Sequence, residues 1–297
     1  MMNRREFAQR AAGATLAAAL PVPAFAAPSG SPAFGLSVML WTVFRDLPFE
    51  QRLAKVAEAG YHSVQLVNEF DKWTPGDFRQ FQRTKKSLAM TCDSTAGIHT
   101  GVADPAAGDK LIAELTNFFP IAAKLECPTI IVLSGNRIEG VSHEAQHQAC
   151  IESLKRAADL AEKNNVTLLL ENIDQEENPK YYLTSVAEGF EIIRAVDHPR
   201  VKFLYDFYHE QISEGNLIEK LEKNIGLVGV VHIADVPGRH QPGTGEINYE
   251  SIFRKLAGLN FSGYAAMEFL PVGDPVLRLR EAREMALRAA GEAAPAH

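Results

Sequence analysis

The sequence predicts a single α/β domain folded as a (β/α)8 TIM barrel, and three observations predict it. Short β-branched runs alternate with amphipathic helical stretches along nearly the whole chain, a pattern that requires parallel strands joined by helical crossovers. Eight such units fit into about 260 residues, the usual size of a closed barrel. The first strand ends in Trp41-Thr42 with no Gly-x-Gly-x-x-Gly turn, which argues against a doubly wound open sheet. No stretch has the composition of an interdomain linker.

The elements follow in order. Residues 36–42 (LSVMLWT) read as a buried strand, and 48–60 as a helix with Leu53, Val56 and Ala57 on one face and Gly60 as its stop. Residues 63–67 form the second strand and 78–88 the core of the second helix. Residues 90–95 make a weak third strand because they are polar, and a long helix runs from 109 to about 126. The β-branched run 129–133 (TIIVL) is strand four, 143–164 a polar-faced helix and 166–170 (VTLLL) strand five. Helix 184–196 opens on Thr184, an expected N-cap. Strands six to eight are expected at 201–205, 228–233 and 264–269, with helices near 216–224, 249–259 and 274–290.

The composition is that of an ordinary folded protein, with 46% hydrophobic, 23% charged and 8% aromatic residues. Lys+Arg 30 against Asp+Glu 37 gives a formal charge of −7, and an acidic surface repels phosphate backbones, so nucleic acid is not an expected partner. Three cysteines (Cys92, Cys127, Cys150) are odd in number and unpaired in spacing, against a disulfide framework or a thiolate metal site.

Residues 1–26 read as an address. A basic start (Arg4, Arg5, Arg10) leads into the apolar stretch 11–20, too short to span a bilayer, which takes about 20 apolar residues. Ala24-Phe25-Ala26 supplies small residues for cleavage before Ala27. Arg4-Arg5 followed by Glu6-Phe7 resembles a twin-arginine export signal, although Asn3 replaces the usual Ser/Thr and Ala8 is a weak hydrophobe. The expected organisation is a leader, 1–26, and a barrel domain, 33–290, in a periplasmic protein without a stable membrane anchor.

A barrel builds its site at the C-terminal ends of its strands. Strand five ends in Glu171, strand six in Asp206, strand seven carries His232 and strand eight ends in Glu268, at separations of 35, 26 and 36 residues. A lone glutamate ending an apolar strand is more often a cap or ion-pair partner, and a lone strand histidine a satisfied core group. Four on four consecutive strands point instead to one divalent ion, with Mn, Mg or Co suited to three carboxylates and an imidazole. Near this centre His209 could bond a substrate hydroxyl and Arg239 a carboxylate. His240 and Glu246 share the same Gly-rich loop and join them as expected substrate-binding residues. Glu69 and Trp41 could line the pocket, the run 174–178 (DQEEN) reads as a solvated loop, and His99 is unassigned.

The segments LLLENID (168–174), FLYDFYHEQISEGNL (203–217), VHIADVPGRHQPGTGEINY (231–249) and AAMEF (265–269) resemble the hydroxypyruvate isomerase family, within the xylose-isomerase-like barrels that include ketose 3-epimerases. The resemblance implies that Glu171, Asp206, His232 and Glu268 are the metal ligands and that Glu171 and Glu268 also transfer the proton. It implies a small hydroxycarbonyl or sugar substrate, isomerised through an enediolate as hydroxypyruvate is to tartronate semialdehyde. One departure is His232, where hydroxypyruvate isomerases often carry Gln and ketose epimerases carry His; export is the other. A ketose 3-epimerase and a non-catalytic sugar-binding barrel are the alternatives, and a homo-oligomer stays open. The apurinic endonuclease barrel shares Asp206-x-x-His209, but Gly245 and Ile247 stand roughly where its further Asp-x-His ligand pair would fall.

Overall fold

Eight parallel strands close on one another in sequence order in the structure, a computed structural model that describes residues 32–292. The expected leader, residues 1–26, lies outside the described residues. The strands are β1 (Gly35–Met39), β2 (Ser63–Val67), β3 (Thr91–Ala96), β4 (Thr129–Leu133), β5 (Thr167–Glu171), β6 (Val201–Asp206), β7 (Val228–Ile233) and β8 (Tyr264–Met267). Pairing of β1 with β8, from Gly35 opposite Tyr264 to Val38 opposite Met267, seals the barrel. The helices are α1 (Phe49–Glu58), α2 (Pro75–Ser87), α3 (Gly108–Leu125), α4 (His143–Lys163), α5 (Val186–Val196), α6 (Phe207–Ser213), α7 (Leu217–Asn224), α8 (Tyr249–Gly258) and α9 (Pro275–Gly291). The predicted single (β/α)8 barrel is therefore the observed fold.

Two apolar layers hold it. Met39, Ile131, Leu169, Leu204 and Val230 fill the barrel interior, while a larger core packs the outward strand faces against the helices. Several helices start at side-chain caps. Thr74 accepts from the Asp77 N–H while Asp77 returns the bond to the Thr74 N–H, and Ser142, Asn248 and Asp274 cap their own helices.

Four local expectations need correction. β1 stops at Met39, and Leu40–Thr42 turns as a 3-10 helix. Ser185, not Thr184, caps α5, its hydroxyl accepting from the Glu188 N–H. β8 ends at Met267, so Glu268 stands just beyond it, although its N–H still donates to Ile233 O at 3.0 Å. Helix α6 had no counterpart in the sequence pattern. Asp206 ends β6 and caps α6 at once, accepting from the N–H groups of Tyr208 (2.7 Å) and His209 (3.1 Å). One bulge is important for the interior: Val64 faces Cys92 but Gln65 faces Ser94, so Asp93 is the extra residue of β3.

Candidate active site

The barrel places Glu171, Asp206, His232 and Glu268 at the C-terminal rim of β5 to β8. All four are buried, and one ligand atom from each lies within 4.8 Å of the others. His232 Nδ1 is 2.7 Å from Glu268 Oε2, 3.3 Å from Glu171 Oε1 and 3.8 Å from Asp206 Oδ2. Neither His232 Nδ1 nor Glu268 Oε2 has a hydrogen-bond partner of acceptable geometry. Three buried carboxylates around one imidazole form a concentration of negative charge that burial makes costly.

The surroundings push the two glutamates in opposite directions. Burial raises the pKa of Glu171; His232 offsets part of the rise, and the charges of Glu268 and Asp206 add to it. Burial would raise Glu268 as well, but the charges of Arg239 and His232 outweigh it and hold the carboxyl well below its ordinary range. The Trp41 indole also donates to Glu268 Oε1, at 2.9 Å. Trp41 therefore lines the site as expected.

Arg239 reaches the site from the loop after β7. Its guanidinium lies 2.8 Å from Glu268 Oε2, 2.5 Å from Glu177 Oε1 and 3.7 Å from Asp206 Oδ2, and stacks near the rings of Trp41 and Tyr208. The residue holds a left-handed φ of 55°, a conformation unusual for a side-chain-bearing residue. Asp235, fully buried, fixes this loop from inside. Its carboxylate accepts from the backbone N–H groups of Val236, Gly243, Thr244, Gly245 and Ile247 at 2.9–3.1 Å. Gly245 is required there, because a Cβ would fall 1.9 Å from Val236 O.

His209, one helical turn beyond Asp206, joins the cluster. Its Nδ1 is 2.6 Å from Asp174 Oδ2 and its Nε2 3.5 Å from Asp206 Oδ2. Burial alone would lower its pKa, but the Asp206 charge and the Asp174 hydrogen bond push it up to about 9. The expectation of a solvated 174–178 loop holds for Gln175, Glu176 and Glu177, which are exposed, and is corrected at Asp174. Asp174 is fully buried against His209, and its Oδ1 accepts from the Glu176 and Glu177 N–H groups, which brings Glu177 to Arg239.

Other expected residues fall elsewhere. His240, next to Arg239, points away and donates to Leu270 O at 2.9 Å; Glu246 is exposed and accepts from Gln211 at 3.0 Å. Neither lines the pocket, because each is held by a partner outside it. Glu69 pairs with Arg52 at 3.4 Å outside it, and the His99 N–H donates to Glu114. Gln65 and Asp93 are further participants that sequence reasoning missed. Gln65 Oε1 is 2.8 Å from His232 Nε2, and Gln65 Nε2 donates to Asp93 Oδ2 at 2.7 Å. Their one signal in the sequence was the presence of polar residues inside two buried strands.

Below the rim lies a cavity of about 210 Å³. Trp41, Glu171, Glu177, His209, His232, Arg239 and Glu268 form its polar side, and Met39, Val67, Ala96, Ile98, Ile131, Leu133 and Ile173 its apolar side. That volume is below the roughly 300–1,000 Å³ typical of drug-sized ligands and suits a small one. A larger cavity, about 390 Å³, opens at the opposite end of the barrel among Phe34, Tyr61, Thr91 and Tyr264, away from this cluster. Among the described residues no helix is long and apolar enough to cross a membrane.

Comparison with known proteins places these features among relatives. The xylose isomerase-like TIM barrel family matches residues 53–289. The 2-oxo-tetronate isomerase of Haemophilus influenzae is 30% identical over 246 residues, 81% of this chain and 95% of that protein. The hydroxypyruvate isomerase of Escherichia coli is 28% identical over 246 residues, 79% of this chain and 93% of that one. A crystal structure from Brucella melitensis, described as an AP endonuclease of family 2, has a TM-score of 0.77 at 27% identity, covering 85% of this chain and 98% of that one.

Proposed function

This chain belongs to the xylose isomerase-like TIM barrel family, beside hydroxypyruvate and 2-oxo-tetronate isomerases, and from that premise we infer that it is a metal-dependent isomerase of a small α-hydroxycarbonyl acid. The observation that carries the inference is the buried convergence of Glu171, Asp206, His232 and Glu268. The donor set fits a divalent ion: three hard oxygen ligands and an imidazole, with His232 Nδ1 and Glu268 Oε2 left without hydrogen bonds. When bound, such an ion would draw charge from the substrate's carbonyl and hydroxyl oxygens and favour the enediolate.

The chain's own groups supply the proton transfer. Glu268, kept ionised by Arg239, is the base that takes the proton from the carbon beside the carbonyl. Glu171, of raised proton affinity, delivers a proton to the neighbouring carbon, the hydroxyl proton passes to the former carbonyl oxygen, and proton exchange with water restores both carboxyls; divergent environments allow two identical side chains to divide these roles. Arg239 orients a substrate carboxylate. Of its two close partners Glu177 is the more exposed, so Glu177 yields to the substrate at lower cost than Glu268. His209, held by Asp174, donates to a substrate oxygen. The small, half-apolar cavity favours a short hydroxy acid over a nucleic acid backbone.

The test is turnover of hydroxypyruvate in D2O with saturating MnCl2, followed by proton NMR, beside a panel of ketoses. Deuterium should enter the product carbon. Glu268→Gln and Glu171→Gln should each lose at least about 100-fold in kcat with metal saturating. Full activity in both variants would overturn the two-glutamate mechanism. Turnover of ketoses alone would make the protein an epimerase, and binding without any turnover a sugar-binding barrel. We propose also that residues 1–26 export the protein to the periplasm; the support is the Arg4-Arg5 pair, the short apolar stretch and Ala24-Phe25-Ala26.

A further inference from the structure

We infer that Gln65, oriented by Asp93, is the positioning residue of His232: it accepts the imidazole Nε2–H and so turns the Nδ1 lone pair toward Glu171, Asp206 and Glu268. The inference rests on the metal assignment of that cluster. Gln65 reaches across the barrel interior from β2 to β7 and is wholly buried. Its Oε1 lies 2.8 Å from His232 Nε2 and its Nε2 lies 2.7 Å from Asp93 Oδ2.

The direction of this chain is set at its far end. An ionised carboxylate only accepts, so the Gln65 nitrogen must face Asp93 and the oxygen must face His232. Asp93 cannot turn away, because its Oδ1 accepts from Ser63 Oγ at 2.7 Å and Ser94 Oγ lies 3.3 Å from Oδ2. Rotating the amide would set Gln65 Oε1 against a carboxylate oxygen. Nε2 of His232 therefore carries hydrogen, and in the neutral ring the lone pair is left on Nδ1, the atom without a hydrogen bond among the carboxylates. The bulge that makes Asp93 the extra residue of β3 is what frees it from regular pairing beside Gln65. Among the described residues no ion pair involves Asp93, so a buried carboxylate is retained here without a cation.

The experiment titrates the whole protein with MnCl2 by calorimetry, in wild type, Gln65→Met and Gln65→Glu. Met keeps the length but removes the acceptor. Glu keeps an acceptor, and it can share one proton with Asp93, since two carboxyls in contact do not both ionise. The Mn²⁺ Kd should rise 10–100-fold in Gln65→Met and return to within about 3-fold of wild type in Gln65→Glu. In 15N-histidine-labelled protein loaded with diamagnetic Mg²⁺, the His232 Nε2–H, assigned by its loss in His232→Gln, should be protected from exchange in wild type. A folded Gln65→Met variant with unchanged Mn²⁺ affinity overturns the inference. So does a Gln65→Glu variant as weak as Gln65→Met, which would mark packing alone. If Gln65→Met does not fold, the wild-type spectrum decides, because a freely exchanging His232 Nε2–H also overturns it. Wild type that binds no divalent ion overturns the metal assignment instead.

Discussion

Asp93 carries a conflict that can be measured. Burial pushes its carboxyl up to about 6, against hydrogen bonds from Gln65, Ser63 and Ser94 that pull it down. The folded chain therefore keeps a proton that the unfolded chain releases from about pH 4 upward. Stability from this group is present below the unfolded value and is lost as pH rises through about 6. At neutral pH the ionised side chain costs on the order of 3 kcal/mol, since each tenfold change in proton affinity is worth about 1.36 kcal/mol. Asp93→Asn should thus melt no higher than wild type at pH 4 and progressively higher from pH 4 to 7, in thermal melts across that range. A stability gain independent of pH would show that ionisation is not its source. The same scale shows why sequence reached only part of the site. Glu171, Asp206, His232 and Glu268 were legible because each follows an apolar run one βα unit from the next. Asp174 and Glu177 were not, because a run of charges looks solvated until the fold returns it to His209 and Arg239. Arg239 reaches the cluster and His240 does not, and residue type does not tell which way a loop side chain turns.

The strands and helices were legible nearly throughout, because period-2 and period-3.6 patterns are written in side chains that the core selects. β2, β4 and β7 coincide with expectation at both ends. β3 read weakly because its bulge carries Asp93 and Ser94 inside the barrel instead of aliphatic residues. α6 was hidden because Asp206 leaves no turn signal between strand and helix. The loop after β7 was recognisable as a motif, but its logic was not, since Asp235 bonds residues up to twelve positions later. That arrangement yields a prediction for the element as a whole. Asp235→Ala leaves five backbone donors without their acceptor, and even partial rescue by water leaves a loss of about 3 kcal/mol or more. Amide exchange at Gly243, Thr244, Gly245 and Ile247 should accelerate, and kcat should fall because Arg239 loses its left-handed support. Unchanged exchange at those amides would show that the loop holds its shape without Asp235.

Over the whole molecule, closure of β1 on β8 makes one barrel by joining the first and last strands of the described residues. Export then makes a whole-chain prediction: protein from the periplasmic fraction should begin at Ala27 on N-terminal sequencing. A soluble cytoplasmic protein that still starts at Met1 would reject it. The distribution of labour around the barrel has a practical consequence. Every residue of the charged cluster comes from β5 to β8 or just beyond them, whereas Val67, Ala96, Ile98, Ile131 and Leu133 on the facing wall come from β2 to β4 or just beyond them. With Gln65 and Asp93 left untouched, that wall is a chassis wall open to redesign. Libraries restricted to those five aliphatic positions should exchange one substrate for another while Mn²⁺ affinity and deuterium uptake stay as they were, which would make this barrel evolvable by its quiet half.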